Sequence, residues 1–481
     1  MAHSRPLLSV AVAATLAVGA GGAAWAQSAA ERAVEAAKQF SGTTLNITWE
    51  AALQAQDPLL FSGPKWEELT GIKINVVEIA IDQLFTKTLA EHRANTGAFD
   101  LLNVVPAWLP DLAEAGVLEP LDPFIDKYGY REELEDIAPV YRDNQMTYQG
   151  TVYGLPDDGD VLIMYYRKDL FGDPARQTAF KERFGYELAP PETWEQFLEI
   201  SQYFTENPPH EGFYGSAMIR APGHIHYYFE ERFRVEGGEF FDPDTMEAKI
   251  NSDAGVKTLA GMVAEHEFMP PGVEAWGPIE TLSAWLAGDL AMMGWWPPPG
   301  RWSDGFLDPD ILSFVPVSEV EGKVGYALPP GGAPQLAAGF SLSVASTSRN
   351  KEAAYLFAQW LNSKEISLQR VQLPYALRDP FRTSHFENEE YQSRWGTAKE
   401  YLETLQAAAD SGLLDLSIRS TFLYEESLTR AITAAFGGAD PKEMLDQAAE
   451  EWNDITKRIG VDTQKEAYLD WAGKPAAYPQ R

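Results

Sequence analysis

Between residues 44 and 105 the hydrophobic period switches repeatedly between two residues and about 3.6, and this alternation limits the fold more than any other feature of the chain. TLNITWE at 44–50 alternates as a strand does, residues 61–69 carry a short helical pattern, and KINVVEI at 73–79 is a second strand. Residues 81–96 then read as a helix. FDLLNVV at 99–105 is a third strand, and its unbroken apolar run is that of a strand buried on both faces. A β-α-β-α-β beginning predicts an α/β domain. Further on, Gly154-Leu155-Pro156 interrupts two apolar runs at 153–156 and 161–166, and helical patterns cover 194–205, 253–267 and 279–287. Strand-like runs recur at 291–295 and, after the Pro/Gly loop 329–334, at 340–345. The end of the chain is helical, at 351–361, 393–409, 427–435 and 441–458, with no internal repeat and no low-complexity segment.

The first 26 residues do not belong to that pattern. Arg5, an apolar run from Leu7 to Val18 and small residues ending Ala24-Trp25-Ala26 read as a secretory leader cut before Gln27. The apolar run is shorter than the roughly 20 residues that span a bilayer. The chain has no cysteine, which excludes a lipid-modified cysteine anchor, disulfides, thiolate metal sites and a cysteine nucleophile. An exported protein free in the periplasm of a two-membrane bacterium is the expectation, with secretion into the medium as the alternative. A formal charge of −33 repels phosphate backbones and anionic lipid, so nucleic acid and membrane surfaces are excluded as partners.

Six segments in fixed order carry a resemblance. They are KWEELTGIKINVVEI (65–79), AFDLLNVVPAWLPDLAEAGVLEPLDPFI (98–125), GTVYGLPDDGDVLIMYYRKDLF (150–171), PPETWEQF (190–197), AWLAGDLAMMGWW (284–296) and GFSLSVASTSRNKEAAYLFAQWLNSKE (339–365). The order resembles the family-1 extracellular solute-binding proteins, the periplasmic sugar receptors of ABC importers in the maltose-binding superfamily. That resemblance implies a two-lobed α/β periplasmic-binding fold with a hinge and an interlobe cleft. The N-terminal lobe would hold residues 27–155 plus 326–376, and the C-terminal lobe 156–325 plus 377–481. It also implies a monomer that is no enzyme and needs no cofactor, captures a carbohydrate or polyol, and delivers it to an inner-membrane permease.

A sugar presents hydroxyls around a ring whose faces are largely C–H, so its receptor needs aromatic plates and charged or amide rims. Hydrogen bonds to ionised groups contribute about 1.5–3 kcal/mol, against about 1 for neutral pairs. The loop after the first strand offers Glu50 and Gln54, with a solvated loop as the plainer reading. After the third strand comes Trp108, where relatives place contacts, although it could instead pack on the next helix. Asp158 and Asp160 of the DDGD run sit where the chain crosses between lobes; the run lacks the twelve-residue spacing of a calcium loop. Trp295 and Trp296 are adjacent strand residues, so alternation puts at most one of them in the cleft. Trp276 is a further aromatic candidate. Gly339 and Phe340 match a turn where ligand approaches the backbone in relatives. Tyr375 and Arg378 lie at a later crossing, Arg378 with an interlobe salt bridge as its alternative role. His224 and His226 form an H-x-H pair without the third and fourth ligands a metal site requires, so no metal is expected. Two other functions stay open: an exported glycoside hydrolase with Asp158 and Asp160 or another carboxylate pair as acid and base, and a receptor for a non-sugar solute such as an acidic peptide or a polyamine.

Overall fold

The computed structural model describes residues 27–337 and 339–479; the leader read at residues 1–26 lies outside the described residues. The strands are β1 (Thr44–Glu50), β2 (Lys73–Ile79), β3 (Leu101–Val104), β4 (Thr147–Tyr148), β5 (Thr151–Val152), β6 (Leu155–Pro156), β7 (Ile163–Arg167), β8 (Tyr214–Met218), β9 (Leu290–Trp295), β10 (Val324–Ala327) and β11 (Ser341–Val344). One sheet runs β2-β1-β3-β11-β6, a second β10-β7-β9-β8, and β4 and β5 form a small hairpin. In the first, β1 lies parallel to β2 and β3, and β11 antiparallel to β3. In the second, β8 and β9 are parallel while β7 runs antiparallel to both β9 and β10. Each sheet is the centre of one lobe.

The first lobe follows its sequence closely. β1 pairs with β2 residue for residue from Thr44↔Lys73 to Glu50↔Ile79, and all four residues of β3 are buried, as a central strand requires. Beneath them, helix Lys351–Leu361 is buried along its whole length from Ala353, consistent with an AAYLFAQWL run that is apolar on nearly every side. Trp66 packs on it, 5.4 Å from Phe357 and 5.3 Å from Trp360 between ring centres.

The second lobe contains two elements that sequence periodicity does not show. β8, reading YGSAM, has no apolar run, because Gly215 must leave room for the Ser201 carbonyl, 1.9 Å from where a Cβ would stand. Helix Ile225–Val235 looks charged all round yet is buried from Ile225 to Arg234. Its charges are held by distant groups: Arg234 donates to the carbonyls of Leu414 (2.7 Å) and Ala477 (2.8 Å), and Glu231 accepts from the Gln335 amide (3.0 Å). Arg232 lies over the Trp194 ring at 3.6 Å and pairs with Glu265. Burial pushes the Glu230 carboxyl up to about 8 and that of Glu231 up to about 7.

Three chain segments run between the sheets: 157–162, the stretch between Ala327 and Ser341, and 371–382. Tyr326 and Ala327 are paired with Tyr165 and Met164, so the return to the first sheet begins after the 326 boundary expected from sequence. The three segments bind one another. Asp157 N–H donates to the Phe340 carbonyl (2.6 Å), Leu162 N–H to that of Gln335 (2.8 Å), and Gly159 N–H to that of Asp379 (3.2 Å). Gly159 lies so close to Pro380 that a Cβ would stand 2.0 Å from the proline carbonyl oxygen. Around them is a dry ion network. Arg370 donates to Asp57 (2.7 Å) and Asp157 (2.6 Å), and Arg378 to Asp158 (2.6 Å), with its Nε 3.3 Å from Asp157. Asp158 takes a further bond from the Asp379 N–H at 2.8 Å.

The C-terminal helices close the molecule from the other side. Helix Ala398–Ser411 packs on β10 through Tyr326 and Tyr401, whose ring centres are 5.7 Å apart. Helix Thr421–Phe436 reaches back to the first lobe, stacking Phe422 on Phe85 at 5.0 Å and taking the Trp108 indole N–H on Glu425 at 3.2 Å.

Two outcomes are expected. Replacing Arg378 by Met leaves Asp158 buried without its cation, and denaturant unfolding should show a loss of about 3–5 kcal/mol; a loss below about 1 kcal/mol would mean the network is solvated. Stability should also fall as pH rises from 7 to 8.5. Glu230 and Glu231 keep their protons to about 8 and 7 when folded, while in the unfolded chain they lose them near 4.5, so the unfolded state binds fewer protons across this range. The opposing contribution of His224 and His226, lowered by burial to about 4 and 3, is complete above their unfolded value of 6.5. Melting curves should therefore step down with pH, and Glu230→Gln should flatten the step.

Candidate functional site

A cavity of about 260 Å³ opens between the two sheets. From the first lobe come Glu50, the last residue of β1, the following loop from Ala51 to Gln54, Ile81 at the start of helix Ile81–Ala94, and Phe340 just before β11. From the second come Gly223, His224 and Tyr227 around the start of helix Ile225–Val235, Pro278 and Ile279 at the start of helix Pro278–Leu286, and Trp295, Trp296 and Pro298 at the end of β9. Asp160 and Leu377 enter from the crossing segments. The carboxyl ends of β1 and β9 thus face one another, the place where α/β sheets present their loops to ligands.

Both tryptophans line this cavity, where strand alternation allows one. β9 ends at Trp295, paired with Ile163, and Pro297 to Pro299 bend the chain, so the two-residue rule no longer governs Trp296. Their rings stand 5.9 Å apart at 89°, and Tyr227 meets Trp296 at 6.2 Å and 89°. His224 adds an edge at 5.6 Å. The Trp296 indole N–H is used on the Ala337 carbonyl at 2.9 Å. In contrast, the Trp295 indole N–H and the Gln54 side-chain oxygen are buried without a hydrogen-bond partner.

The acids of the wall are held near neutral. Burial, reinforced by Asp158 and opposed by Arg378, pushes the Glu50 carboxyl up to about 7. Asp160 accepts the Gly339 N–H at 3.1 Å; burial, with Asp158 and Asp379 close by, raises it well above the usual carboxylate range. One oxygen from each of Asp158, Asp160 and Asp379 falls within 4.8 Å of the others, the one group of three metal-type ligands among the described residues. The set does not fit a resident ion. Asp158 spends one oxygen on Arg378 and the other on the Asp379 N–H, so a guanidinium already occupies the place of a cation.

The remaining expected contacts lie elsewhere. Asp158 and Arg378 form their ion pair behind the wall. Trp108 is buried between Phe85 and Phe422, at 5.5 and 5.9 Å, away from the cavity. Trp276 is half-buried, its carbonyl accepting from Arg220 and Ala221. Gly339 contributes its N–H to Asp160 rather than a surface to the cavity, and Tyr375 stands half-buried near Asp57 and Asp308 while Leu377 takes the wall position. His226 turns inward, 4.0 Å from Glu425. Tyr227, Ile81, Ile279 and Leu377 are wall residues that sequence reasoning missed. For Tyr227 a signal existed, in the aromatic HIHYYF run; for Ala51 to Leu53, where Ala52 takes a positive φ of 69°, there was none.

Comparison with known proteins places this geometry in context. A probable amino-acid ABC transporter periplasmic-binding protein of Sinorhizobium fredii is 25% identical over 362 residues, 69% of this chain and 76% of that relative. The mannitol-binding protein of Pseudomonas aeruginosa is 27% identical over 288 residues, 56% of this chain and 57% of the relative. Among solved structures, an ABC transporter solute-binding protein of Agrobacterium radiobacter in complex with ribitol has a TM-score of 0.72 at 23% identity, covering 86% of this chain and 99% of that one. Another, from Agrobacterium vitis with bound D-mannitol, has a TM-score of 0.70 at 20% identity over 87% and 99%. Both share the two-lobed architecture described above. The family model for bacterial extracellular solute-binding proteins matches residues 42–367, more than half of the chain, and the chain belongs to that family.

Proposed function

We propose that this protein captures a small polyhydroxylated solute, a carbohydrate or polyol, in the interlobe cavity and hands it unchanged to an ABC permease of the inner membrane. The observation that carries this reading is that the interlobe cavity is lined by aromatic rings together with the Gln54 side chain and two carboxyl groups. A hydroxyl both donates and accepts, so it meets each of those polar groups. Glu50 and Asp160 add rim acceptors, and the rings of Trp295, Trp296, Tyr227 and Phe340 supply plates for C–H faces. The names of relatives that bind mannitol and of a neighbour holding ribitol point the same way.

The acid–base alternative finds no support in the geometry. A glycosidase needs two carboxyl groups free to face one bond, and here Asp158 is engaged on both oxygens by Arg378 and the Asp379 N–H. Action as a monomer in the periplasm is part of the proposal. It is supported by the leader read at residues 1–26, by the absence of cysteine and by the family itself; among the described residues no helix is long and apolar enough to cross a membrane.

Calorimetric titration with tetritols to hexitols and with simple sugars tests the reading. At least one should bind one-to-one, raise the melting temperature through mass action, and be recovered with its chain length intact. Glu50→Gln and Trp296→Ala should each weaken that ligand at least tenfold, about 1.4 kcal/mol, while Trp108→Phe binds as the parent does. Shortening of an offered oligosaccharide, or parental affinity in both cavity variants, would refute it.

A further inference from the structure

We infer that the ligand is a single unit of monosaccharide size that carries no anionic group. This rests on the polyol or carbohydrate reading above and narrows it. The charge limit comes from the wall. Among the described residues no lysine or arginine lines the cavity; its ionisable side chains are the acids Glu50 and Asp160, the Tyr227 phenol and His224, whose imidazole is held down to about 4 by burial and so carries no charge near neutral pH. The nearest guanidinium, Arg378, is consumed: one terminal nitrogen donates to Asp158 at 2.6 Å, the other to the Gln54 carbonyl at 3.2 Å, and Nε faces Asp157 at 3.3 Å. A carboxylate, sulfate or phosphate on the ligand would be desolvated against two carboxyls with no cation to meet it, the arrangement that costs most in a buried site. Uronates and sugar phosphates are therefore rejected, and so is an α-amino acid, whose carboxylate would have no partner.

The size limit comes from the two ends. About 260 Å³ lies below the 300–1,000 Å³ that receives drug-sized ligands. The inner end is shut by buried Trp295 and by Asp160, backed by the crossing segments. At the outer end the lobes meet through Ile81 and Gly223: the Ile81 Cγ2 lies 3.8 Å from where a Cβ on Gly223 would stand. With Pro278 and Ile279 beside them this rim is apolar, so it offers no partner to the hydroxyls of a second sugar unit and little room for one.

A panel titrated against the whole mature chain decides the matter: ribitol, D-mannitol and D-glucose as single neutral units, maltose and maltotriose as longer chains, D-glucuronate and L-glutamate as anions. A neutral single unit should bind best, with the longer and anionic compounds on the order of a hundredfold weaker. Ile81→Ala should narrow the gap between maltose and the best single unit about tenfold, and melting curves with and without ligand confirm that the variant is folded. Maltose or glucuronate within about tenfold of the best single unit overturns the inference and leaves the carbohydrate reading standing. Binding of L-glutamate alone overturns both.

Discussion

The crossing segments that back the cavity are tied together by a guanidinium, that of Arg378, which is not itself among the residues lining it. Arg378 sits on the third crossing segment and ties Asp157 and Asp158 of the first, while Arg370, just before that segment, adds Asp57 from the first lobe and a second bond to Asp157. Buried ion pairs contribute little net stability, because desolvation offsets attraction, but breaking one is expensive. Such a network therefore specifies more than it stabilises. It sets three strands of chain side by side at one register, and Gly159 against Pro380 makes that register as close as backbone allows.

The cavity wall inherits this order. With Asp158 fixed, Asp160 two residues on points to the cleft and takes the Gly339 N–H; with Arg378 fixed, Leu377 turns its side chain to the wall, and the Gln54 backbone is held through its carbonyl. The same packing desolvates Glu50 and Asp160, so their carboxyl groups are held in place on the cavity wall. On the proposed reading a solute meets a wall already ordered, which is the condition under which hydroxyl contacts yield useful affinity.

Much of this was legible in the chain. TLNITWE and KINVVEI fall on β1 and β2 to the residue, because a half-buried parallel strand writes its period into the sequence. The ends of those strands and of β9 also named Glu50, Gln54, Trp295 and Trp296 as residues to examine. What could not be read were features fixed by partners far along the chain. Helix Ile225–Val235 hides behind charged residues whose partners lie far along the chain, Leu414 and Ala477 for Arg234, Gln335 for Glu231 and Glu265 for Arg232, so Tyr227 was passed over. Trp108 reads as a cleft residue until Phe422 and Glu425, more than 300 positions later, are seen to claim both its face and its N–H. Asp158 and Arg378 each look like a ligand contact alone, and become an ion pair only when the fold brings them 2.6 Å apart.

The division of chemistry between the lobes has a mechanical consequence. The first lobe brings the polar side chains of Glu50 and Gln54 to the wall; the second brings Trp295, Trp296, His224 and Tyr227, most of the aromatic surface. A solute in the cavity therefore draws its contacts from both lobes. On the proposed reading, that division favours the two lobes together over the two apart, the differential affinity through which a ligand shifts a hinge equilibrium. Ile81 and Gly223 approach each other at the rim, where a Cβ on Gly223 would stand 3.8 Å from the Ile81 Cγ2. On the proposed reading a solute too long for the cavity holds these two surfaces apart, so limiting ligand size and bringing the lobes together depend on the same rim.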